Sequence, residues 1–276
     1  MGLRLHPVAA RQGWQWLRQG LVAFARRPLA FAGLFATFLM AVLLLAVLVP
    51  VVGGALGLGL MPMLGLGFMI ATVSARRDGP VHALQLVQGL RHPDRARKRA
   101  QWLLCGAYLL GSVLVITLAE WVDGGTLVEL QRQLAESPPG QPNAAVGQLL
   151  ADPRFVNGML VRLGLGALLS VPFWHASALV HWAGQGAGQA LFSSSLAVWR
   201  ARGAFVVYLA GWALAALALG AAVTLLVALT GAQALLGWMA LPLGLAFTSA
   251  FYVSVWFSFA DSFGVQERAT GLTIEA

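Results

Sequence analysis

The sequence predicts an all-α polytopic membrane protein: six transmembrane helices arranged as three hairpin repeats, with short interfacial amphipathic helices. Three observations lead there. Of the 276 residues 59% are hydrophobic and only 10% charged, whereas soluble domains carry about a quarter charged residues. No charged residue stands between Arg27 and Arg76, Arg99 and Glu120, Arg162 and Arg200, or Arg202 and Asp261; about 20 apolar residues suffice to cross roughly 30 Å of hydrocarbon. Finally, short pieces of sequence recur beside those runs.

The spans follow in order at 28–51, 54–74, 100–122, 158–183, 203–230 and 232–259. Short uncharged turns, Pro50 to Gly54 and Thr230 to Gln233, close the first and third pairs into tight hairpins. The chain is therefore one integral membrane domain, 1–276. A cytoplasmic interfacial segment, 1–27, precedes hairpin 1 at 28–74, and a basic cytoplasmic loop, 75–99, leads into hairpin 2 at 100–183 with a periplasmic loop at 123–157. A second interfacial segment, 184–202, then precedes hairpin 3 at 203–259 and a tail at 260–276. The periplasmic loop, with Glu129, Glu136, Asp152 and the turn-rich run Ser137, Pro138, Pro139, Gly140, Gln141, Pro142, reads as a solvated acidic cap.

Basic residues orient the chain. Fifteen of the 18 lie in the N-terminal segment, the 75–99 loop and the later segments on the same side, among them Arg4, Arg200, Arg202 and Arg268; only Arg132, Arg154 and Arg162 lie opposite. Positive residues stay on the cytoplasmic side, so both termini are expected there. The net charge of +8 comes with no nucleic-acid-binding motif, so the partners expected are the lipid bilayer and its anionic headgroups, with a membrane-protein partner besides. Arg11, Arg18, Arg26, Arg27, Arg97, Lys98 and Arg99 are the candidate headgroup contacts.

The repeats show as Leu17-Arg18-Gln19-Gly20-Leu21, Leu86-Val87-Gln88-Gly89-Leu90 and, more faintly, Phe192-Ser193-Ser194-Ser195-Leu196. Each precedes basic residues and an odd-numbered span. Pro62, Pro172 and Pro242 recur inside the even-numbered spans, where proline removes a backbone hydrogen bond and kinks the helix. In the first interfacial segment Trp14, Leu17, Leu21 and Phe24 form one stripe, with Arg11, Arg18 and Gln19 off it.

Pro62, Pro172 and Pro242, with His175, are candidates for helix kinks or for lining a cavity. A histidine within a span is expensive and has two readings, a neutral interhelical hydrogen-bonder or a proton or metal relay. His181 sits six positions away on another helix face, against a shared metal site. The G-x-x-x-G pairs Gly53/Gly57 and Gly184/Gly188 read as close helix packing. Glu120 and Asp123 end the third span as a boundary cap or as a cation-attracting mouth, and Asp261 is expected to pair with a cytoplasmic arginine. Cys105 is the single cysteine, which excludes an intrachain disulfide and reads as a small core residue. No HExxH, GxSxG or phosphate loop occurs, so catalytic residues, cofactors and metals are expected to be none.

Gly13-Trp14-Gln15-Trp16 with Gln19-Gly20, Arg27-Pro28-Leu29, Asp123-Gly124-Gly125, Phe173-Trp174 with Ala178-Leu179-Val180, and Tyr252-Val253-Ser254 to Phe257-Ser258 with Asp261 resemble an uncharacterised family of six-span inner-membrane proteins common in beta-proteobacteria. The likeness covers nearly the whole chain and implies topology and location without an activity. His175 stands where that family would be expected to have a small or apolar residue. The expectation is a non-enzymatic membrane-organising or partner-binding component, the alternative a transporter or channel for a small or lipid-like solute.

Overall fold

A computed structural model of the chain describes residues 5–50, 52–136, 144–231 and 233–265, with backbone alone for 233–237. Arg4, Val51, the turn at 137–143, Ala232 and Arg268 lie outside the described residues. The first half runs α1 (Gln12–Arg26), α2 (Pro28–Leu48), α3 (Gly53–Gly59), α4 (Met61–Arg76), a 3-10 helix (Ala83–Arg91) and α5 (Arg95–Asp123). The second half runs α6 (Thr126–Glu136), α7 (Ala144–Ala151), α8 (Pro153–Phe173), α9 (Ala176–Ala183), α10 (Ala187–Arg200), α11 (Arg202–Thr230) and α12 (Gln233–Phe263).

Helix ends follow local chemistry. The Asp94 carboxylate accepts from the Ala96 amide and starts α5, and Asp152 does the same for α8 through the Arg154 amide, with Pro153 at the first turn. Gly124, Gly184 and Gly231, all at positive φ, end α5, α9 and α11.

Among the described residues five helical stretches are long and apolar enough to cross a membrane: α2, α5, Pro153–Ala183, α11 and Trp238–Phe263. α3 and α4 qualify only together, across a 46° bend, which makes six crossings if the bent pair is one. Pro62 lies just past that bend at the start of α4, and Pro172 lies one residue before α8 ends. Pro242 lies inside α12, whose helix runs continuously from Gln233 to Phe263. The acidic segment between α5 and α8 contains two helices, α6 packing on α5 and α8 and α7 on α6 and α8.

α1 packs on α11 and α12, the 3-10 helix chiefly on α4 and also on α5 and α2, and α10 on α8 and α9. The stripe expected on α1 is consequently rotated. Gly13, Trp16, Leu17 and Gly20 face the bundle, while Trp14 and Leu21 are exposed. Two glycines explain the rotation: a Cβ on Gly13 would strike the backbone of Ala204 and Tyr208, and one on Gly20 would strike Ser254. The contact is backbone to backbone, so the glycine face goes inward.

Candidate functional site

The innermost polar groups cluster where α1, α9, α11 and α12 meet. His175, fully buried between α8 and α9, shares a 3.0 Å hydrogen bond through Nε2 with Ser258 Oγ, to which Trp174 Nε1 donates at 3.2 Å. Its ring is enclosed by Phe205, Phe259 and Phe263, and its backbone amide donates to Ser194 Oγ. Nearby, Tyr208 and Ser254 share a 2.5 Å bond, and Trp16 Nε1 donates to Asp261 Oδ2 at 2.7 Å. Asp261 thus binds Trp16 and, at 3.5 Å, Gln12, and among the described residues no arginine reaches it. The reason is α1, which lays the indole over the last turn of α12.

A second cluster joins the start of α5 to α9. Arg97 Nη1 donates to the His181 carbonyl and Gln101 Nε2 to the Ser177 carbonyl, each at 2.8 Å. The His92 and His181 rings meet edge to face at 5.4 Å. Burial and then the Arg97 charge hold His92 below the ordinary histidine range, against a smaller opposing pull from Asp94. Gln101 Oε1, Ser177 Oγ and His181 Nδ1 are buried without a hydrogen-bond partner.

At the end of α5 Asp123 is fully buried, accepts from the Gly125 amide at 2.7 Å and meets Arg162 Nη1 at 2.5 Å. Gly158 leaves room for that carboxylate. Asp123 is therefore both the corner cap and half of an α5 to α8 ion pair, while Glu120 stays exposed.

Two cavities bear on function. The first, about 460 Å³, lies along α1 and is lined by Gln15, Arg18, Gln19, Arg26, Arg76 and Phe257, with Arg76 over the Phe257 ring at 5.1 Å. The second, about 450 Å³, lies between α4, α5, α8 and α12 and runs from Arg162 to Ser177. Of the four residues read as cavity candidates, Pro62 lines it; Pro172 and the sealed His175 do not, and Pro242 is exposed on α12. They do not converge on one site.

Of the candidate headgroup contacts, Arg11, Arg18, Arg26, Lys98 and Arg99 are exposed. Arg27 is engaged instead with the Gly79 carbonyl at 2.5 Å and Asp78 at 3.5 Å, and Arg97 with His181 and Asp94. Sequence reasoning gave no structural role to Trp16, Ser258, Tyr208 or Arg162. The signal for Trp16 was its place one helical turn from Gly13 and Gly20.

No described group of three or more His, Cys, Asp or Glu side chains is placed to hold a metal ion. A protein of Burkholderia thailandensis, described as a probable inner membrane protein, is 34% identical over 265 residues, 96% of each chain. The chain belongs to this inner-membrane family. That membership agrees with the resemblance carried by the Gly13 to Gly20 and Asp123 to Gly125 motifs, which here dock α1 and close the α5 corner. No family model matches the chain, and no solved structure matches it. As a member of this inner-membrane family with five or six membrane-capable stretches, the chain is an integral inner-membrane protein.

Proposed function

We propose that this inner-membrane protein is non-enzymatic, crosses the membrane six times with both termini cytoplasmic, and organises anionic lipid, or a partner bound through it, at its inner face. The observation that carries the reading is the cavity at α1. Arg18 and Arg26 line it with two glutamine side chains and an aromatic floor, at the end of the chain where basic residues concentrate. A lipid phosphate there meets guanidinium donors in bidentate geometry. The bent α3 and α4 pair supplies the sixth crossing, and an even number brings the basic segments to one side. The seating of α1 on α11 and α12, of the 3-10 helix chiefly on α4, and of α10 on α8 and α9 supports the three-repeat reading.

An exposed arginine near an anionic surface contributes about 1 kcal/mol, roughly fivefold in binding. The protein reconstituted in mixed nanodiscs is therefore expected to retain phosphatidylglycerol over phosphatidylcholine, with Arg18→Gln and Arg26→Gln each lowering the preference about fivefold. Equal retention of both lipids by the unsubstituted protein would sink the reading.

A further inference from the structure

The cavity between α4, α5, α8 and α12 is independent of the inner arginines. Its walls are apolar and adaptable, with Met61, Met69, Phe173 and Phe251 among them, and exposed Leu163 and Ala167 stand at its rim on the α8 flank. Arg162 and Ser177, at its two ends, are 15 positions apart along α8 and α9, roughly 20 Å at the helical rise. A volume of about 450 Å³ drawn out over that length makes a narrow slot.

Three features mark the slot as built for an occupant. Gly65 and Gly166 line it, and a Cβ at either meets nothing within 4 Å; side chains there would fill it. Ser177 is 4% exposed, yet its hydroxyl has no hydrogen-bond partner. Arg162 directs Nη1 to Asp123, which leaves the rest of the fork of five N–H donors for a second acceptor.

We propose that this slot is a binding site for one acyl chain bearing an anionic headgroup, with the headgroup at the outward face of Arg162 and the chain running along Gly166 and Gly65 toward Ser177. The elongated apolar walls exclude a compact polar solute, and the open rim admits a chain sideways from the bilayer. The headgroup chemistry is a phosphate or carboxylate, carried by a phospholipid or by a free fatty acid.

The test uses the full chain in nanodiscs with photoactivatable acyl-chain probes, one a phospholipid and one a free fatty acid, and maps the labelled residues by mass spectrometry. Labelling is expected at Met61, Met69 or Tyr108 in the slot. Gly65→Leu and Gly166→Leu should each reduce it at least tenfold while leaving labels on the outward-facing Leu110 and Leu168 unchanged. Whichever probe labels the slot identifies the source of the chain. Labels confined to outward-facing residues of the unsubstituted protein, or slot labels indifferent to both substitutions, would overturn the proposal. The map on the unsubstituted protein decides even if a leucine variant misfolds. Because Arg18 and Arg26 are intact throughout, a negative result leaves the reading of the inner face untouched.

Discussion

Trp16 reaches across 245 positions of sequence to bind Asp261, and its ring packs edge to face on Phe205 and Tyr208. A hydrogen bond to a carboxylate contributes about 1.5–3 kcal/mol, so Trp16→Phe should lower the unfolding free energy by about 2 kcal/mol. Combined with Asp261→Asn, it should add little further; a fully additive pair in denaturant titrations would show that the two side chains do not act together. Gly20→Val should weaken the fold by about 1–3 kcal/mol through overpacking against Ser254, whereas Gly188→Val, with open space around its Cβ, should be nearly neutral on that count. The difference explains what the sequence can reveal at this scale. Gly13 and Gly20 are visible as small residues near tryptophans, but the partners that require them, Ala204 and Ser254, are about 190 and 230 positions away. No local pattern points to them.

The helices themselves were largely legible, because crossing a membrane depends on apolar content averaged over about 20 residues. The expected spans at 28–51, 100–122 and 203–230 find α2, α5 and α11 within a few residues. What an apolar average does not carry is structure in the polar segments: the acidic stretch between α5 and α8 contains α6 and α7. Within α6, Arg132 forks between Glu129 and Glu136 with bonds of 2.6–2.9 Å. Hydrogen bonding from Arg132, then from Gln133, pulls the Glu129 carboxyl down to about 2. A carboxylate with a depressed folded-state value stabilises above its ordinary range near 4.5 and loses that contribution as pH falls through about 2. Amide exchange in 126–136, corrected for intrinsic rates, should therefore accelerate between pH 4.5 and 2, and Arg132→Gln should remove that dependence. A pH-independent protection pattern would show that the fork does not hold α6.

For the molecule as a whole, the crossing number decides which surfaces share a compartment. Single cysteines placed at Arg95 and at Gln133 in a Cys105→Ala background should react with impermeant maleimide from opposite faces of sealed vesicles, and one at Arg18 should match Arg95. Agreement between Arg18 and Gln133 instead would mean that α3 and α4 return to the surface they left, giving five crossings. Four candidate residues were legible as types but not as a constellation, since Pro62, Pro172, His175 and Pro242 are dispersed by helix rotations that composition does not encode. The seating of α1 on α11 and α12 also bears on biogenesis. Synthesis makes α1 well before α11 and α12, the helices that cover its glycine face, so closure of the bundle is a late event. Nascent chains stalled before α11 should present Trp16 to chaperones and proteases, and release of a full-length chain should end that vulnerability at a single step.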